Sequence, residues 1–122
     1  MIRHYLETPG GTRYNLEEQV ITIGRSPQNT INIPDKTIEE EIEKIYDEAE
    51  TEERLKSVSR KHARINISET PMRTTITDLG SKNGTQINRG RKMNPRTSKV
   101  LQDADRIRFG GIELIYHEEG IT

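Results

Sequence analysis

The sequence predicts an all-β protein, a sandwich of many short strands with one acidic helical segment set into it. Three observations predict it. Alternating or β-branched runs of three to six residues recur along most of the chain, as half-buried strands require. Turn signals such as Pro9-Gly10-Gly11, Asn83-Gly84 and Gly110-Gly111 separate them at close spacing. Only between about 36 and 57 does the apolar period lengthen from two to that of a helix.

In chain order, Ile2–Glu7 reads as a first strand, ended by Pro9-Gly10-Gly11, where glycine allows a tight reversal. Arg13–Leu16 alternates, and Gln19–Ile23 is rich in β-branched residues up to Gly24. Ser26-Pro27-Gln28-Asn29 forms a loop, and Thr30–Ile33 alternates until Pro34-Asp35. The helical stretch follows. Ile38, Ile42, Ile45, Tyr46 and Ala49 share one face, and Thr37 with Glu40 matches a capping box. The spacing predicts a helix from about 38 to 49. Strand patterns return at His62–Ile67, Thr74–Thr77, Thr85–Ile87, Val100-Leu101, Arg106–Phe109 and Ile112–Tyr116. Arg89–Ser98 reads as a polar loop, and His117–Thr122 as a frayed end or the start of a linker.

Composition sets outer bounds. A chain of 122 residues suits one domain, 1–122, and a 30% apolar content makes its core lean. With no cysteine there is no disulfide framework, thiolate metal site or thiol nucleophile, which fits a cytoplasmic protein. No apolar run approaches the ~20 residues needed to span a bilayer, and the first residues do not form a signal peptide. The net charge of −1 conceals an asymmetry. Residues 35–56 hold ten acids and four bases, while the rest of the chain is moderately basic, a balance that suits an anionic ligand. Nucleic acid is a poor candidate, because the basic surplus is small and aromatics amount to 4%.

The chemistry-bearing residues gather in three turns. Gly24-Arg25-Ser26-Pro27 offers a guanidinium, Ser59-Arg60-Lys61-His62 a hydroxyl, two cations and an imidazole, and Ser81-Lys82-Asn83-Gly84 an ammonium and a carboxamide. Hydroxyl, guanidinium and amide donors together are the set that holds a phosphate ester. A Ser59–His62 nucleophile and base is disfavoured: residues three apart on a strand face opposite ways, and no carboxylate orients the ring. Nor is His62 a metal ligand, since His4 and His117 are its only imidazole companions.

In this order Gly24-Arg25, Ser59-x-x-His62 and Asn83-Gly84 resemble the signature of the forkhead-associated (FHA) domain. Ile31-Asn32-Ile33-Pro34-Asp35 and Asp105-Arg106-Ile107-Arg108-Phe109-Gly110 agree with it, so the likeness covers nearly everything outside 36–57. It implies an FHA-like β-sandwich of about eleven strands whose loops at one end bind phosphothreonine peptides. Arg25 and Ser59 would be phosphate ligands, Asn83 a clamp on the peptide backbone, and Arg60 a further contact. Gly24, His62 and Gly84 would shape the loops without touching ligand. Where the family often has threonine or serine before the asparagine this chain has Lys82, which could still reach the phosphate.

In the family the connection before the Ser59 region is usually short, so 36–57 is an insertion whose ends should lie close together. A single helix over 38–55 would be about 27 Å long, too long for the few remaining residues to return. A helix of about twelve residues, a bend near 49–52 and a return through 53–57 is the expectation. The insertion could be passive, could gate the site by competing for Arg25, Arg60 and Lys82, or could dock a partner through its isoleucine stripe.

The function so predicted is that of a non-catalytic phosphothreonine-peptide binding module in serine/threonine-kinase signalling, needing no cofactor, metal or membrane. The alternative is an FHA scaffold making phosphate-independent contacts through the insertion or a sheet face.

Overall fold

The computed structural model describes residues 1–120. Ten strands form two five-stranded sheets. One sheet runs β2 (Arg13–Asn15), β1 (Ile2–Glu7), β10 (Ile112–Gly120), β9 (Arg106–Phe109), β7 (Thr85–Ile87). The other runs β4 (Ile31–Asn32), β3 (Val20–Gly24), β5 (Ala63–Glu69), β6 (Met72–Asp78), β8 (Ser98–Val100). All pairs are antiparallel except β3 with β4. The count is ten rather than about eleven. Gln86 pairs with Lys92 only as a single bridge, outside the ten strands.

Alternation explains how so lean a composition makes a core. Along β5, Ala63, Ile65 and Ile67 are buried while Arg64 and Asn66 face outward. Ile21, Ile23, Ile76, Ile107, Phe109, Leu114 and Tyr116 meet them between the sheets. Only inward positions need to be apolar in such a sandwich.

Register then decides where the loops gather. Ile23 pairs with Ala63 and Ala63 with Asp78, so the end of β3, the start of β5 and the end of β6 lie at one rim. In the other sheet, Thr85 opposite Phe109 brings the start of β7 to the end of β9. Gly110 N–H donates to Gly84 O at 3.0 Å, and His62 Nε2 bonds the same oxygen at 2.9 Å, joining the two sheets there.

Two expectations need correction. The C-terminal segment is not frayed over 117–120, since β10 pairs with β1 from Glu7↔Ile115 to Ile2↔Gly120; residues 121–122 of that expectation lie outside the described ones. The insertion is two helices, α1 (Lys36–Glu43) and α2 (Glu48–Lys56), broken at 44–47 rather than 49–52. The cap of α1 is Asp35, whose carboxylate accepts Ile38 N–H, and not Thr37. Asp47 caps α2 in the same way through Glu50 N–H. Asp35 wins because its backbone is extended while Thr37 is already helical, and an N-cap must be the former.

The insertion is fastened to the sandwich, not merely hung from it. Ile38 and Ile42 are buried in the core cluster, Tyr46 is half-buried, and Ile45 and Ala49 remain exposed. Tyr14 donates to Asp35 at 2.7 Å, Thr8 to Glu41 at 2.8 Å, and Arg54 to Gly111 O at 3.0 Å. Its two ends do converge. Gly24 O accepts Ile33 N–H, and the adjacent Arg25 N–H donates to Ser59 O.

Candidate phosphopeptide site

The rim is laced together by backbone bonds between loops far apart in sequence. Arg25 N–H donates to Ser59 O at 3.0 Å and Ser26 N–H to Arg60 O at 3.2 Å. Gly24 permits this approach. A Cβ built there would stand 2.2 Å from Arg60 O, so any side chain would push the two loops apart. Ser59 Oγ accepts Lys82 N–H at 3.0 Å, which brings in the third loop. Having accepted from inside, the hydroxyl still has its one proton to donate outward.

Arg25 is exposed, and its Nε donates to Val58 O, which aims the guanidinium along the rim. Among the described residues no carboxylate pairs with Arg25, Arg60 or Lys82, and the side chains of Arg60 and Lys82 are exposed. The insertion's ion pairs, Glu50–Arg54 and Glu52–Lys56, are internal to it. A gate made by its acids sitting on these cations is therefore not formed. Asn83 is drawn to the same place, its carboxamide N–H donating to Ser57 O at 2.8 Å. Arg25, Ser59, Arg60, Lys82 and Asn83 thus share one rim with cationic groups and donors facing solvent.

His62 holds the rim from beneath. Fully buried, it accepts Ser59 N–H on Nδ1 at 3.0 Å and reaches Gly84 O through Nε2 at 2.9 Å. Only a neutral ring protonated on Nε2 satisfies both. So Ser59 and His62 do meet, contrary to the strand argument, because Ser59 lies in the turn before β5. They meet through the serine's amide, leaving neither ring nitrogen to act as a base on its hydroxyl.

Burial lowers the His62 pKa, outweighing the Gly84 carbonyl and the Asp78 charge, which raise it. The folded value lies below the unfolded one of 6.5, so the unfolded state binds more protons in acid. Stability is full above about pH 6.5 and falls as pH drops below it. Buried His4 shifts in the same direction, again through burial. Unfolding free energy of the ligand-free chain should therefore decline from pH 7.5 to 5. The Ser59 amide proton resonance should move in step with the His62 titration. A flat stability profile with an unmoved Ser59 resonance would remove this account.

The third loop owes its shape to Asp78. Its carboxylate accepts from Gly80 N–H, Ser81 N–H, Ser81 Oγ and Thr85 Oγ1 at 2.6–3.1 Å. Burial would raise its pKa, but those four bonds prevail and hold it below the usual carboxylate value. Ser81 Oγ also accepts Gly84 N–H, and Gly84, at φ +85, takes the left-handed conformation the turn needs.

Several contributors were missed from sequence. Asn29 donates to Ser26 O and Arg60 O at 2.9 and 2.6 Å, and Asn32 to Arg25 O at 2.7 Å, tying the arginine loop down. Ser57 Oγ accepts Gly111 N–H at 2.7 Å. Asparagine just before and just after Thr30-Ile31 was a usable hint for the first pair, since its short amide often bonds nearby backbone. Ser57 offered none.

The model of the FHA domain family matches residues 21–110. An oxoglutarate dehydrogenase inhibitor from Corynebacterium efficiens is 33% identical over 106 residues, covering 87% of this chain and 56% of that protein. The chain thus spans about half the length of the curated relatives it matches. Among solved structures, one from work on phosphothreonine-dependent FHA domain interactions superposes with a TM-score of 0.67 at 26% identity, covering 98% of both chains. Mycobacterium tuberculosis EmbR, in complex with a low-affinity phosphopeptide, gives 0.66 at 26% identity, covering 94% of this chain and 24% of EmbR.

Proposed function

We propose, from the premise that this chain belongs to the FHA domain family, that its rim binds phosphothreonine peptides produced by serine/threonine kinases. The observation that supports it best is the lacing of Arg25, Ser59 and Lys82, which leaves the Arg25 side chain exposed and the Ser59 hydroxyl with an unused donor. Phosphothreonine brings a charge of about −1.5 to −2 and three acceptor oxygens. Arg25 and Ser59 hold those oxygens, Arg60 and Lys82 add positive charge, and Asn83 bonds the peptide backbone. Gly24, His62 and Gly84 keep the loops in register.

Charge-assisted bonds of about 1.5–3 kcal/mol each make a micromolar complex, about −8 kcal/mol, reachable with a few peptide contacts besides. Catalysis has no part in this reading, which assigns the chain a binding role in the cytoplasm, where the kinases act. Among the described residues no three His, Cys, Asp or Glu side chains gather as a metal site, and no helix is long and apolar enough to cross a membrane. A phosphate-independent docking face on the insertion loses its main support, because Ile38 and Ile42 are spent on the core.

A phosphothreonine peptide library, its dephosphorylated twin and an aspartate version test the proposal. Binding confined to the phosphorylated set is the expected result. Aspartate offers half the charge and no tetrahedral oxygens, so it should bind poorly. Equal retention of all three would refute the reading.

A further inference from the structure

Building on that reading, we infer that α2 is one wall of the groove receiving the peptide beside the phosphothreonine, and that Lys92 and Arg108 opposite it select an acidic side chain. The starting point is Asn83. Its carboxamide bonds Ser57 O, one residue past the end of α2. Arg54 and Ser57 in turn bond both backbone groups of Gly111, O and N–H, at 3.0 and 2.7 Å. A Cβ on the preceding Gly110 would stand 2.5 Å from Ser57 O. The helix end is therefore locked alongside the peptide clamp.

Between α2 and the sandwich lies a cleft of about 320 Å³ that begins at Asn83. Glu50, Glu53, Arg54 and Ser57 line its helical side. They stand at i, i+3, i+4 and i+7, a single helix face. Gln86, Lys92 and Arg108 line the sheet side. Any extended peptide leaving the phosphate site past Asn83 on that side runs into this cleft.

The free charges decide what it takes. Glu50 and Arg54 pair with each other at 2.9 Å, and Arg54 also lies 4.0 Å over the Tyr46 ring, so both are occupied. Glu53 is in no ion pair, and among the described residues neither are Lys92 and Arg108. The Lys92 stem lies against Gly84, its Cδ 2.8 Å from where a Cβ there would stand, which holds the chain beside the Asn83-Gly84 turn. Two unpaired cations face one unpaired carboxylate, and an acidic peptide side chain turned to the sheet side meets the cations. From Ser57 back to Glu53 the helix rises about 6 Å, or roughly two extended residues.

The test uses the full chain and phosphothreonine peptides carrying aspartate, alanine or lysine at each of three positions on either side. Aspartate at one position should bind about three- to tenfold tighter than lysine, the scale of a partly exposed ion pair. Lys92→Glu should reverse that preference, and Glu53→Lys from the helix side should widen it. Both residues are exposed, so neither change should disturb folding. If no phosphopeptide outbinds its unmodified twin, the phosphothreonine reading itself fails. If phosphopeptides bind but every position is indifferent to charge, or the preference ignores both substitutions, the groove assignment is overturned.

Discussion

Replacing Arg25 with alanine should weaken phosphothreonine-peptide binding by about 100-fold or more, with little loss of fold. The two effects separate because of where the side chain spends its donors. Nε bonds Val58 O, and the residue is otherwise exposed with no carboxylate partner among the described residues. Removing it costs the free protein one solvent-edge hydrogen bond, about 1 kcal/mol. In the complex the same guanidinium is aimed at a dianion, and a fork of two charge-assisted bonds is lost. Two such bonds at about 1.5 kcal/mol each amount to roughly 3 kcal/mol, near 100-fold in affinity. Arg25→Lys should fall between, keeping the charge but not the fork or the anchor on Val58. Titration calorimetry beside thermal unfolding would decide it. Unchanged affinity in Arg25→Ala would mean that the phosphate sits elsewhere.

How much of this was legible beforehand depended on how local each cause was. Gly24-Arg25, Ser59-x-x-His62 and Asn83-Gly84 could be read because turn chemistry is written in adjacent residues. Alternation in 63–67 and 106–109 likewise predicted the strands found there, since pleat and burial obey the same period of two. The cap of α1 went astray for a different reason, whereas the break before α2 was written locally in Asp47-x-x-Glu50 and was overlooked. Thr37-x-x-Glu40 and Asp47-x-x-Glu50 are both sound capping patterns, but the chain caps α1 at Asp35, held by Tyr14 from 21 residues away. Partners so remote are invisible in a local window. The same holds for Ser57, joined to Gly111 across 54 positions, and for Asn29, joined to Arg60 across 31. His62 lay between: its place in the motif was plain, but the direction of its two bonds needed coordinates.

Gly24→Ala should lower stability by about 3 kcal/mol and remove peptide binding with it. Glycine here is not chosen for an unusual φ, so backbone strain is not the cause. The cause is contact. The added Cβ would meet Arg60 O at 2.2 Å and Arg60 C at 2.7 Å, and backbone cannot swing aside as a lysine tip can. The loops must separate, and that breaks Arg25 N–H to Ser59 O, Ser26 N–H to Arg60 O and the Asn29 latch together. Overpacking of this kind costs about 1–3 kcal/mol, and the lost bonds push the sum to the upper end. Against a usual domain stability of about 5–15 kcal/mol, the chain should stay folded but melt roughly 10 °C lower. Gly11→Ala is the control, because a Cβ there meets nothing within 4 Å while its φ of +92 still imposes strain. That variant should lose some stability yet keep full affinity. If Gly24→Ala binds phosphopeptide as the parent does, close approach of the arginine and serine loops is not what makes the site.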